Sequence, residues 1–171
     1  MEALKSRIRH VPDFPKPGIL FYDVTTLLRD PEGFRLAVDS LASPYTGKSI
    51  DVVVGIESRG FILGSAVADR IGAGFVPVRK LGKLPSATVR ASYTLEYGND
   101  SLEMHKDAVE RGQRVLIVDD LLATGGTAKA TVDLVKQLGG RVEGVAFLIE
   151  LVALEGRSRL AGEQVLAVLQ Y

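Results

Sequence analysis

Short runs of β-branched residues alternate along this chain with stretches whose apolar side chains recur every three or four positions. The first pattern suits strands buried on both faces, the second amphipathic helices. Residues 50–56, 75–78, 115–118 and 142–149 read as strands. Residues 60–71 read as a helix that ends at Gly72, and 127–138 as one stopped by Gly139-Gly140. Asp30-Pro31 is an N-cap followed by proline at the first helical position; it starts a helix toward Leu41, closed by Pro44 and Gly47. A short helix is expected over 2–9, after which Pro12, Pro15 and Pro17 impose an extended path. Residues 82–91 are polar, carry Gly82 and Pro85, and read as a mobile loop. Residues 92–97 and 101–105 flank Gly98-Asn99-Asp100, a hairpin signal. Strands alternating with helices predict an α/β fold: right-handed crossovers and a mainly parallel central sheet flanked by helices.

Composition adds limits. The 171 residues suit one domain over 1–171 with a sizeable core. With 21 basic and 21 acidic residues the net charge argues for neither nucleic acid nor an anionic membrane as partner. Cysteine is absent, which excludes disulfides, thiolate metal sites and cysteine nucleophiles. The first ten residues lack the apolar core of a signal peptide, and charge or glycine interrupts every apolar run. A soluble, cytoplasmic protein is expected. His10 and His105 form no metal-binding pattern, no P-loop occurs, and Gly72-Ala73-Gly74 lacks the third glycine of a dinucleotide fingerprint.

The chemistry concentrates in residues 115–127, Val-Leu-Ile-Val-Asp-Asp-Leu-Leu-Ala-Thr-Gly-Gly-Thr. Two carboxylates, Asp119 and Asp120, are expected to stop a buried strand, at the sheet edge where α/β folds bind ligands. The turn Ala123-Thr124-Gly125-Gly126-Thr127 can aim backbone N–H groups and two hydroxyls at one anion, with a helix N-terminus behind it. Acids for hydroxyls or a metal, beside a phosphate cradle, suggest a phosphorylated sugar. The segment resembles the phosphoribosyl diphosphate (PRPP) signature of the type I phosphoribosyltransferases. That resemblance implies that Asp119 and Asp120 hold the ribose 2- and 3-hydroxyls, and that residues 123–127 bind the 5-phosphate.

Three further segments are similar to the adenine-specific branch of that family. Gly55-Ile56-Glu57-Ser58-Arg59-Gly60-Phe61 follows a strand and opens a helix; the resemblance implies a diphosphate-receiving turn formed by Glu57, Ser58 and Arg59, with a cis Glu57-Ser58 peptide. In Val78-Arg79-Lys80-Leu81-Gly82-Lys83-Leu84-Pro85 it assigns Arg79 and Lys83 to the diphosphate, leaving open whether they serve their own site or a partner subunit's. In Ala91-Ser92-Tyr93-Thr94-Leu95-Glu96-Tyr97-Gly98 it makes Glu96 the contact to purine N7, taking the proton the base must shed, while Tyr97 closes over the reacting centre. Asp13 to Val24 is similar to the base-recognition arm. By analogy the Leu20 C=O and the Tyr22 N–H read the adenine edge and the Phe21 ring covers its face, so that residues 1–30 supply part of a small hood. Tyr22 stands where most relatives carry Arg. Leu121 and Leu151 are assigned to the purine pocket, a core role being open for Leu151; Glu150-Leu151 and Leu169-Gln170-Tyr171 also look like the family. The resemblance implies transfer of a phosphoribosyl group from PRPP to adenine, giving AMP and diphosphate. It implies Mg²⁺ held chiefly by PRPP, diphosphate and water rather than by protein ligands, and a homodimer. A relative acting on hypoxanthine or xanthine, or a regulator sensing PRPP or purine, would share much of this pattern.

Overall fold

The computed structural model describes residues 1–94 and 99–171. In chain order the elements are α1 (Glu2–Lys5), β1 (Arg9–Pro12), β2 (Leu20–Asp23), α2 (Thr25–Arg29), α3 (Pro31–Ala42), β3 (Val52–Ile56), α4 (Arg59–Ile71), β4 (Gly74–Lys80), β5 (Thr88–Thr94), β6 (Asn99–His105), β7 (Arg114–Leu122), α5 (Gly126–Gln137), β8 (Arg141–Glu150) and β9 (Val165–Gln170). Short 3₁₀ turns cover Ser43–Tyr45, Val152–Leu154 and Gly156–Leu160.

The sheet runs β5-β6-β4-β3-β7-β8-β9. Pairs β3/β4, β3/β7, β7/β8 and β8/β9 are parallel, while β4/β6 and β5/β6 are antiparallel. The continuous apolar runs follow from burial on both faces. Val53, Leu116 and Val118 enter one core with Leu41, Leu63 and Val67 of α3 and α4. Val52, Val54, Val115 and Ile117 enter the other with Leu134 and Val135 of α5. From β3 the chain crosses through α4 to β4 on one side; from β7 it crosses through α5 to β8 on the other. The neighbours β3 and β7 are therefore the topological switch point, where a crevice opens beyond the strand ends.

Local signals hold where the chemistry is local. The Asp30 side chain accepts from the Gly33 N–H and caps α3, and Gly72 closes α4 at φ +72°. Four expectations are corrected. Residues 2–9 are not one helix: α1 ends at Lys5, and Arg9 leaves to pair with Asp23 in the antiparallel β1/β2 ribbon. The carboxylates do not stop β7, which continues to Leu122 because β8 offers partners as far as Glu150. Residues 88–91 of the expected loop are strand, paired with β6. Asn99 and Asp100 are not turn residues but open β6, opposite Thr94 and Tyr93. Strand β9 and helix α2 were not anticipated. No helix among the described residues is long and apolar enough to cross a membrane.

Phe147 is 1 % exposed, lies opposite Asp119 in the β7/β8 register and anchors the α5-side core. Phe147→Ala should destabilise the protein by about 3–5 kcal/mol, read as a lower denaturant midpoint at unchanged m-value. A loss below about 1 kcal/mol would contradict this packing.

Candidate active site

Two turns leave the switch point side by side. After β3 the chain passes through a cis Glu57–Ser58 peptide into α4. After β7 it passes through Ala123, Thr124 and Gly125 into α5. Glycine is required at two positions. Gly125 has φ +81°, and a Cβ there would collide with the Gly156 carbonyl. A Cβ on Gly60 would lie 2.7 Å from Asp119 Oδ1, so glycine lets the first turn of α4 press against the end of β7.

Three cavities line up along this rim. The central one, about 300 Å³, is bounded by Glu57, Ser58 and Arg59 on one side and by Asp119, Asp120, Leu121, Ala123 and Thr127 on the other. Beside it a hollow of about 180 Å³ is enclosed by residues 121–128, with Tyr93 as its wall. On the opposite flank a cavity of about 410 Å³ is lined by Val11, Phe14, Phe21, Tyr22, Asp23, Val24, Thr25 and Arg59. Arg59 borders the central and aromatic cavities, and Leu121 the central cavity and the turn hollow. The three form one groove: aromatic, then acidic, then the hollow of the turn before α5.

Cations from other elements meet two of the groove's acids. Arg59 pairs with the Asp120 carboxylate and lies 5.8 Å from the centre of the Phe21 ring. Asp119 accepts the Asp120 N–H at 2.9 Å. Burial pushes the Asp119 carboxyl well up, and the neighbouring Asp120 charge acts in the same direction. Glu57 accepts from Lys83 Nζ at 2.8 Å, Arg79 Nη2 at 3.2 Å and the Lys80 N–H at 3.0 Å. The Lys83 ammonium foremost, then the Lys80 N–H and Arg79, hold its carboxyl at about 2 against the opposing effect of burial.

Of the residues singled out in the sequence, the rim gathers Glu57, Ser58, Arg59, Asp119, Asp120, Leu121, Ala123, Thr124, Gly125, Gly126 and Thr127. Arg79 and Lys83 reach it through Glu57. Phe21 and Tyr22 line the aromatic cavity. Leu20 is exposed at the start of β2, and Leu151 packs against the α3/α4-side core. Glu96 and Tyr97 lie outside the described residues. The Tyr22 ring packs against Tyr171 (ring centres 4.2 Å apart) and His10 (5.2 Å), which braces the arm on the far end of the chain.

Two supports went unnoticed in the sequence. Tyr93 walls the turn hollow while its hydroxyl donates to Asp100 at 3.1 Å; burial, then that bond, raise its pKa to about 12. The alternation of Tyr93, Leu95 and Tyr97 was the available signal. Arg157 grips both oxygens of Glu150 at 2.7 and 2.9 Å, which sets Gly156 against the Ala123 carbonyl behind the cradle. Nothing local in the sequence announces that pair.

A family model described as a phosphoribosyl transferase domain matches residues 25–161. The chain is 62 % identical to an adenine phosphoribosyltransferase of Acidobacterium capsulatum over 170 residues, covering 99 % of this chain and 94 % of the relative. It is 61 % identical to that of Solibacter usitatus over 171 residues, covering 100 % and 99 %. The crystal structure of adenine phosphoribosyltransferase from Rhodothermus marinus superposes with a TM-score of 0.95 at 59 % identity, covering 99 % and 97 %. The Saccharomyces cerevisiae enzyme, complexed with an imino-altritol bisphosphate and adenine, superposes at 0.93 with 42 % identity, covering 98 % and 97 %. The chain belongs to the phosphoribosyl transferase family and, within it, to the adenine phosphoribosyltransferases.

Proposed function

We infer that the protein transfers the 5-phosphoribosyl group of PRPP to adenine, giving AMP and diphosphate. The observation that carries this reading is the order of the groove: an aromatic cavity, a pair of acids and an anion cradle, joined through Arg59 and Leu121. That is the order of base, ribose and 5-phosphate in the product.

In the proposed mechanism the cradle at 123–127 takes the 5-phosphate on backbone N–H groups at the start of α5. Asp119 and Asp120 hold the ribose hydroxyls, and the Asp120 charge favours the positive character that develops on the anomeric carbon. Purine N9 forms the new bond to that carbon as the bond to diphosphate breaks. Arg59, Arg79 and Lys83 exchange their carboxylate partners for the departing anion. Glu57 and Ser58 form the turn that receives it. Glu96 takes the base proton, and Tyr97 covers the reacting centre, excluding water that would hydrolyse the sugar donor.

The base sits in the aromatic cavity under the hood of residues 1–30, read by the Leu20 C=O and the Tyr22 N–H, against Phe21, with Leu121 and Leu151 completing the pocket. The carboxylates of Asp119 and Asp120 are hard oxygen donors that suit Mg²⁺ directly or through its water shell. Mg²⁺, bound chiefly by donor oxygens, would neutralise charge on the diphosphate. A homodimer belongs to the same proposal: Ile62, Leu81, Val152 and Leu154 leave apolar surface for a second copy to cover. So does a cytoplasmic location, where both soluble substrates would be met.

A backbone donor–acceptor pair that fits adenine leaves unpaired groups against a 6-oxopurine, so kcat/KM for adenine should exceed that for hypoxanthine by about 10⁴-fold; comparable turnover of the two would overturn the base assignment. Arg59→Ala should lower kcat/KM for PRPP by about 10²–10³-fold in steady-state assays; a change within about threefold would remove Arg59 from the site. The Glu57 carboxyl is depressed from 4.5 to about 2. Its pairing therefore contributes stability that is fully present above 4.5 and is lost as the pH falls toward 2. Urea unfolding of Glu57→Gln against the parent should show a gap that is constant above about pH 5 and closes on acidification. A gap that opens only on acidification would contradict the pairing.

A further inference from the structure

The carboxylate at the middle of β6 has no part in the site described above. The Glu103 side chain is 7 % exposed. In register it lies between Arg79 of β4 and Arg90 of β5. Its carboxyl accepts the Gly82 N–H at 2.9 Å on one oxygen. The other oxygen takes the Thr88 hydroxyl and Arg90 Nη2, each at 3.3 Å. The Gly82 N–H first, then Arg90 and Thr88, hold this carboxyl below the ordinary carboxylate range. One buried acid thus grips both ends of the segment from Gly82 to Thr88 and closes it into a ring.

What that ring aims is Lys83. Gly82 sits at φ +77°, a left-handed turn that sets the direction of the residue after it. Lys83 reaches Glu57 Oε1 at 2.8 Å, and its carbonyl accepts from Arg79 Nη1 at 3.2 Å. A lysine on an unpinned loop would lose much rotamer and backbone freedom on meeting an anion. A lysine whose loop is already held loses less, and its charge needs little reorganisation when the anion arrives.

We propose that Glu103 is a positioning residue for the diphosphate end of the sugar donor: by fixing Gly82 it aims Lys83 at the acidic cavity, without touching substrate itself. This rests on the reading of Lys83 as a diphosphate cation. The position of Glu103 on β6, beside the loop rather than the aromatic cavity, makes the expected effect selective for the donor over the base.

The test is steady-state kinetics with both substrates, plus diphosphate titration calorimetry, on Glu103→Ala, Glu103→Gln, Lys83→Ala and the double variant Glu103→Ala/Lys83→Ala. Removing one charge-assisted contact predicts that Lys83→Ala raises the PRPP KM and the diphosphate Kd by about tenfold or more. Glu103→Ala should raise both by a similar factor and leave the adenine KM within about twofold, and the double variant should be no worse than Lys83→Ala, because coupled residues do not add. Glu103→Gln keeps an acceptor for the Gly82 N–H, should fall between parent and Glu103→Ala, and carries the comparison if the alanine variant does not fold. Three results overturn the inference alone: Lys83→Ala weakens donor binding while neither Glu103 variant does; adenine and PRPP KM rise together; or the two losses multiply in the double variant. A neutral Lys83→Ala would instead remove the cation reading, and the inference with it.

Discussion

Two parallel strands lie side by side and hand the chain to helices on opposite faces of the sheet; the acidic cavity at their ends depends on that arrangement. Val52 to Gly55 of β3 pair in register with Val115 to Val118 of β7. With α4 covering one face and α5 the other, neither crossover roofs the rim between them. The turn after β3 and the turn after β7 are thus forced to face each other. The absence of a side chain at Gly60 brings them close enough for one small ligand to span both.

The electrostatics follow from the same geometry. Two of the acids that face the groove are met by cations from other elements: Asp120 by Arg59, Glu57 by Arg79 and Lys83. These pairs hold long side chains near the positions a polyanionic donor needs, and they avoid leaving buried charges alone. Behind the turn at 123–125, Arg157 holds Glu150, and Gly156 presses against the backbone of Ala123 and Gly125.

Features legible in the sequence were those set by neighbours along the chain. Asp119-Asp120 and the turn at 123–127 carry their chemistry within one segment, and the Asp30 cap and the Gly72 stop are equally local. Strand ends were not legible, because a strand runs as far as its partner does: β7 passes through its two acids to match β8, and Thr88 to Ala91 become strand because β6 lies beside them. The β9 run, Val-Leu-Ala-Val-Leu, held an apolar signal that passed unread. The placement of Tyr22 acquires a meaning only from Tyr171, distant in sequence, and from His10 across the β1/β2 ribbon, whose rings pack against it. Glu103 was one acid of an apparent hairpin until its register set it between Arg79 and Arg90.

The most direct measurement is a crystal structure of the protein with AMP bound. Expected is continuous density along the rim: phosphate on the N–H groups of residues 123–127, ribose hydroxyls against Asp119 and Asp120, and the purine beside Phe21. Density for the nucleotide away from the paired aspartates, or a purine outside the aromatic cavity with the phosphate in its cradle, would contradict a single groove reading base, sugar and phosphate in that order.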